Sequence, residues 1–238
     1  MNILAIGNSF SEDATRYLHD IARADGEELQ VTNLYIGGCS LESHYKNMLS
    51  DEQVYDLQIN GHSTGSFVSI SEALTSREWD VITLQQVSHK SFDIESYLPY
   101  IQDLADFVRE YCPYAKLYLH QTWAYEDGSA RLTDIAKYDR ADKMLEDIVK
   151  ANLEIAKIIK ADALIRSGEM LDALLKGGIN EVHRDTFHAS LGLGRYALGL
   201  LWYRTVTQKK VFGNRFCDFD EPISEEDILT VKKTVDSF

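Results

Sequence analysis

The chain opens Met1-Asn2-Ile3-Leu4-Ala5-Ile6-Gly7-Asn8-Ser9-Phe10-Ser11. Asn2 to Ile6 is almost unbroken in apolar character, the pattern of a strand covered on both faces, and Gly7 ends it before a short polar turn. Helical periodicity follows from Glu12 to Ala24. A buried strand, a glycine-bearing turn and a helix are the first half of a βαβ unit, and the rest of the chain repeats that theme. Further strands are predicted at Leu29 to Tyr35, Val81 to Leu84, Lys116 to His120 and Ala163 to Ile165. Leu98, Ile101, Leu104, Ala105 and Val108 share one helical face, with Pro99 tolerated only in the first turn. A longer stripe runs from Leu132 to Ile159 as one helix or two, Ser167 and Gly177-Gly178 bracket a short helix as cap and stop, and two more helices are expected from Ser190 to about Val206 and from Glu225 to Val235. The fold class is α/β, a three-layer α/β/α sandwich around about five parallel strands.

No repeat, low-complexity tract or proline-rich linker divides residues 1–238, so the chain reads as a single domain. Its least regular part is Cys39 to Trp79, rich in Ser, Gly, Asn and His, which is expected to form an irregular insert over one end of the sheet, with room for one or two short helices. With 45% hydrophobic and 26% charged residues, the 238-residue chain can bury a substantial core and is not globally disordered. No apolar run approaches the roughly 20 residues of a membrane span. The 38 acidic and 24 basic side chains give a net charge of -14, which disfavours nucleic acid, whose binding depends on Lys and Arg displacing counterions. Cys39, Cys112 and Cys217 are an odd, widely spaced set with no CxxC pair, and Met1 leads straight into a strand; both point to a cytoplasmic protein with reduced thiols, although an exported form trimmed of its leader would look identical.

In an open parallel sheet the chemistry belongs in the crevice at the carboxyl ends of the strands. Four polar or glycine-bearing loops should converge there: Gly7-Asn8-Ser9-Phe10-Ser11, Gly37-Gly38-Cys39-Ser40, Gln85-Gln86-Val87-Ser88-His89 and Gln121-Thr122-Trp123. Ser9 presents a hydroxyl and a backbone N–H at a helix N-terminus, where developing negative charge is favoured. Taken alone, Ser9 or Ser11 reads sooner as a plain helix cap. Asp185-Thr186-Phe187-His188 supplies a carboxylate three residues before a histidine, able to hold Nδ1 and leave Nε2 free to take a proton from a serine. Alone that pair reads as a solvated loop, but its place before the last helices lets it fold back toward Ser9.

With these blocks the sequence resembles the SGNH, or GDSL-like, hydrolase superfamily, and in particular a bacterial branch marked by Gly-Asn-Ser-Phe, Gly-Gly-Cys-Ser-Leu and a glutamine-bearing third block. The resemblance implies a flavodoxin-like sandwich and a serine esterase. It assigns catalysis to Ser9, Asp185 and His188, and the oxyanion hole to the N–H groups of Ser9 and Gly38, with Gly37 the neighbouring candidate. Asn8 stands where the family has aspartate. The third block lacks the family's asparagine, so the implied side-chain donor is Gln85 or Gln86, whose amide is one methylene longer. Loss of such a donor reduces turnover by about a hundred- to a thousandfold.

His44, Gln86, His89 and Trp123 are expected near the crevice as possible substrate contacts, with solvated or packed side chains as the alternative. Cys39 beside Gly38 reads as a buried thiol, since no histidine is paired with it in sequence. Asp185, His188 and His183 have no further His or Cys at ligand spacing, so neither a metal nor an organic cofactor is expected. The reading is therefore hydrolysis of a carboxylic ester carrying a short acyl group, such as acetyl, on a carbohydrate or small molecule. An acyltransferase or thioesterase could use the same residues, and a catalytically weak ligand-binding module could keep the same fold. A nucleotide or flavin binder is disfavoured because the first loop lacks a glycine-rich phosphate cradle. The acidic surplus favours a neutral ester over an anionic one.

Overall fold

The computed structural model describes residues 1–238. The elements run β1 (Asn2–Gly7), α1 (Ser9–Thr15), α2 (Leu18–Ala24), β2 (Gln30–Tyr35), α3 (Leu41–Ser50), β3 (Tyr55–Ile59), β4 (His62–Val68), α4 (Ile70–Thr75), β5 (Val81–Leu84), α5 (Tyr100–Tyr111), β6 (Lys116–His120), α6 (Ala141–Ile158), β7 (Ala163–Ile165), α7 (Ser167–Lys176), α8 (Leu193–Thr207) and α9 (Glu225–Asp236). The sheet has the order β4-β3-β2-β1-β5-β6-β7. The five expected strands pair in parallel, β1 lying between β2 (Ile6 opposite Leu34) and β5 (Ile6 opposite Leu84).

Period-two alternation in β1 divides the core. Ile3 and Ala5 pack on one face with α1, α2, α7, α8 and α9, while Leu4 and Ile6 pack on the other with α3, α4 and α5; α6 contributes to both at the sheet edge. The α/β/α layering expected from the sequence is what forms. No helix is long and apolar enough to cross a membrane.

Three local expectations are corrected. The helix expected from Glu12 to Ala24 starts earlier, at Ser9, because Asn8 and not Ser9 is the cap, and it breaks into α1 and α2 at Arg16-Tyr17. The stripe from Leu132 is first a single wide turn, Arg131–Ala136, and only then α6. The segment from Cys39 to Trp79 holds the two short helices that the sequence allowed, but it is not otherwise irregular. It contains α3, α4 and the antiparallel hairpin β3–β4, which extends the sheet to seven strands along the β2 edge. Asn60 and Gly61 both have positive φ, 52° and 81°, the two-residue turn that matches the twist of a hairpin. β4 is exposed nearly throughout, so its sequence lacks the apolar alternation by which strands are recognised.

Candidate active site

Strand order reverses direction at β1: the chain moves to β2 on one side and returns to β5 on the other, which opens a crevice at their carboxyl ends. A cavity of about 280 Å³ lies there, lined among others by Ser9, Gly38, Ser88, His89, Arg131 and His188. Two larger depressions, about 760 and 1110 Å³, lie at the amino-terminal ends of the strands beside Lys116 and Met1, away from these groups.

The first loop is built by close contact. A side chain on Gly7 would place a Cβ 2.5 Å from Ser11 Oγ and 2.6 Å from Gln85 Oε1, so only glycine lets the turn close. Asn8 works in two directions: Oδ1 accepts from Phe10 N at 3.0 Å and caps α1, and Nδ2 donates to Cys39 O at 3.0 Å, tying the Ser9 turn to the Gly38 loop. An aspartate could make the first bond and not the second. Asn8→Asp, at a position 1% exposed, should therefore lower unfolding stability by about 1–3 kcal/mol through the unpaired Cys39 carbonyl. An unchanged urea midpoint would show that the tie is dispensable.

Ser9 stands at the first position of α1, where its N–H has no acceptor within the helix. Its Oγ lies 2.8 Å from His188 Nε2, and His188 Nδ1 lies 2.7 Å from Asp185 Oδ2. Asp185 Oδ1 also accepts from His188 N at 2.8 Å. Burial alone would raise the Asp185 pKa, but the hydrogen bonds from the His188 ring and N–H outweigh it and hold the carboxyl below its ordinary value. The loop that carries the pair is strained. Thr186, β-branched, has φ 73°, a conformation costing about 1–3 kcal/mol that surrounding contacts must hold. Glu126 N donates to Thr186 O at 2.8 Å and Trp123 Nε1 to Phe187 O at 2.7 Å, which supply that hold.

Gly38 lines the cavity with φ 65°, the left-handed region suited to glycine, and Gly37 lines it too. His89 stands on the same wall with part of its side chain open to solvent; partial desolvation of the ring first, then the positive charges of Lys90 and Arg131, hold its imidazole below the ordinary value.

Other expected residues are not brought to the cavity. Gln85 is fully buried beneath Gly7, and its amide meets no protein partner. Gln86 is fully engaged: Oε1 accepts from Leu41 N and Val87 N, and Nε2 donates to Ser96 O and Oγ. The third wall is made by Val87 and Ser88, whose Oγ lies 2.9 Å from Tyr125 OH. Trp123 is 1% exposed and stacks on Phe10 at 4.0 Å, so it braces the His188 loop from below and cannot stack on a ligand. His44 is buried in α3, its Nδ1 2.9 Å from Tyr55 OH and 3.5 Å from Cys39 Sγ. Burial pushes the Cys39 thiol up to about 12, leaving it a poor nucleophile.

Burial also pushes the His44 imidazole down to about 4. The unfolded chain then binds this proton at a pH where the native protein does not, so stability falls as pH drops from about 6.5 toward 4. The slope from His44 alone is about 1.4 kcal/mol per pH unit in that window. Urea midpoints between pH 4.5 and 6.5 should decline more steeply for the wild type than for His44→Gln; parallel declines would remove His44 as the cause.

Sequence reasoning missed Asp13, Arg131, Arg184 and Arg195. Asp13, one turn after Ser9 on α1, is 0% exposed and accepts two bonds from Arg184 Nη1, each 2.9 Å, one from Arg195 Nε at 2.8 Å and one from Ala189 N at 3.1 Å. The one signal in the sequence belongs to Asp13, an acidic residue among the apolar and small residues of α1. Arg131 lines the cavity with its Cζ 3.5 Å from the centroid of the Phe187 ring.

Comparison with known proteins agrees with this geometry at the level of fold. The model of the family described as a domain of unknown function, DUF4886, matches residues 2–230. A DUF4886 family protein from Bacteroides uniformis is similar in structure with a TM-score of 0.90 and 30% identity, over 100% of this chain and 93% of that one. A candidate SGNH hydrolase from Slackia heliotrinireducens follows with a TM-score of 0.63 and 21% identity, over 87% and 98% of the two chains. A catalytic mutant of an acetylxylan esterase from Geobacillus stearothermophilus reaches 0.50 at 12% identity, over 87% and 92%. No curated protein matches the chain.

Proposed function

The chain belongs to the DUF4886 family and has the fold of the SGNH hydrolases, and from that premise we propose that it is a serine esterase acting on short acyl esters. The observation that carries the proposal is the continuous relay from Ser9 Oγ to His188 Nε2 and from Nδ1 to Asp185, closed between residues 179 apart in sequence. Ser9 Oγ attacks the acyl carbon while His188 Nε2 takes its proton. Asp185 holds the tautomer and stabilises the imidazolium that forms. The oxyanion is met by the N–H groups of Ser9 and Gly38, preset by the helix start and the left-handed glycine. Collapse of the tetrahedral adduct expels the alcohol, which takes the proton from His188. Water, deprotonated by the same nitrogen, then cleaves the acyl-enzyme to carboxylate and free Ser9.

A cavity of about 280 Å³ falls at the small end of ligand pockets, roughly 300–1,000 Å³, which supports a short acyl group such as acetyl on a compact alcohol or a single sugar. Neither Gln85 nor Gln86 joins this scheme; the third wall offers Ser88 instead. Incubation with a fluorophosphonate should leave one covalent adduct on the peptide containing Ser9, and a short-chain aryl acetate should be hydrolysed faster than in buffer. Absence of both the adduct and the hydrolysis would end the proposal.

A further inference from the structure

The chain as a whole carries a net charge of -14, yet no Asp or Glu lines the Ser9 cavity. Its charged wall is basic. Arg131 is half-buried there with its guanidinium carbon over the Phe187 ring, 3.5 Å from the centroid. Unlike Arg16, Arg166, Arg184 and Arg195, it is paired with no carboxylate. Stacking occupies a face of the guanidinium, and its N–H edge, which also reaches toward the Tyr125 hydroxyl, keeps donors for a carboxylate or a phosphate. The next residue, Leu132, is fully buried, and its N–H donates to Ser129 Oγ, so the backbone that presents Arg131 is anchored. In a chain where most arginines are matched to acids, a half-buried guanidinium without one is an electrostatic demand that a bound anion would meet.

The position of Arg131 also tells which half of the ester carries the anion. Phe187, on which it stacks, lies against the His188 ring with centroids 3.8 Å apart. His188 is the group that returns a proton to the departing oxygen, so Arg131 stands on the leaving-group side. We propose that Arg131 binds an anionic group, carboxylate or phosphate, on the alcohol portion of the substrate, so that the substrate is an acyl ester of a hydroxy acid or of an acidic or phosphorylated sugar. His89, on the same cavity, offers a second N–H. The acidic surplus argued for a neutral ester, but it describes the outer surface; the cavity reverses it locally. This inference rests on the esterase reading above.

Three acetyl esters of one phenol skeleton test it: 4-acetoxybenzoate, 4-acetoxyphenyl phosphate and the neutral 4-acetoxybenzamide, each rate divided by its spontaneous hydrolysis. The wild type should favour at least one anion over the amide by about ten- to a hundredfold in kcat/KM, and whichever anion leads identifies carboxylate or phosphate as the ligand. That ratio should fall to about one in Arg131→Gln and survive in part in Arg131→Lys. Fluorophosphonate labelling of Ser9 in both variants reports that the site is still assembled. Equal kcat/KM for all three esters in a wild type whose Ser9 is labelled would overturn the anion site and leave the esterase standing. If no ester is turned over and Ser9 is unlabelled, the esterase reading is what fails. Calorimetric binding of 4-hydroxybenzoate and 4-hydroxyphenyl phosphate then decides for Arg131: binding that Arg131→Gln abolishes supports the site, and no binding to the wild type overturns it.

Discussion

Ser9→Ala and His188→Ala should each lower kcat on a short aryl ester by about 10⁴- to 10⁶-fold, and the double variant should be no slower than either single one. The non-additivity follows from the geometry. Ser9 Oγ and His188 Nε2 are 2.8 Å apart and in the proposed mechanism act in one proton transfer, so removing the second partner should take nothing further once the first is gone. What remains comes from the N–H groups of Ser9 and Gly38, which neither substitution touches. Both variants should keep the wild-type unfolding free energy, measured in urea, to within about 0.5 kcal/mol, as substitutions away from core and cap usually do. The cap of α1 belongs to Asn8, whose Oδ1 meets Phe10 N, so the Ser9 hydroxyl is not needed to start the helix. Losses that multiply in the double variant would mean that Ser9 and His188 act independently, and the relay would have to be abandoned.

How much of this was legible beforehand depends on the kind of residue. The parallel strands are apolar runs whose burial on both faces is written in their composition, and all five expected ranges match within one residue, β5, β6 and β7 being identical and β2 losing Leu29. β1 gains Gly7. Ser9, Asp185 and His188 were legible because each sits where a strand or loop must end at the crevice. Gln85 and Gln86 looked like oxyanion donors on chemistry alone, but direction was not readable: consecutive residues leaving a strand point apart, and here one lies under Gly7 while the other bonds Ser96. Trp123 and His44 were misplaced for the same reason, each turning into the core. The hairpin hid because β4 buries almost nothing, and Asn60-Gly61 was its one local sign. Arg131 was invisible, since its meaning lies in a partner it lacks.

Asp13 carries the largest expected effect on stability. Asp13→Asn should lower the unfolding free energy by about 3–5 kcal/mol, as losing one side of a buried ion pair does, and that is a large share of the 5–15 kcal/mol typical of a domain. The reason is what the carboxylate leaves behind. Arg184 and Arg195 converge on it with side chains 26% and 13% exposed, and an amide cannot satisfy both cations and the Ala189 N–H together. Arg195 keeps a second acid in Asp220 at 2.9 Å; Arg184 has no other carboxylate and would keep only Ala189 O, to which it also donates. Most of the penalty should therefore come from Arg184, and Asp13→Asn with Arg184→Gln should recover part of the loss by removing the orphaned charge. Activity should fall as well. Asp13 lies one turn after Ser9 on α1 and grips Ala189, the residue after His188, so it fixes the helix of Ser9 to the loop of His188, the proposed nucleophile and base, and does not line the cavity. As a positioning residue it should reduce kcat and leave KM for a neutral aryl acetate close to the wild-type value. A stability loss below about 1 kcal/mol, the range of an exposed pair, would show that the Asp13 cluster is solvated and does not hold the site together.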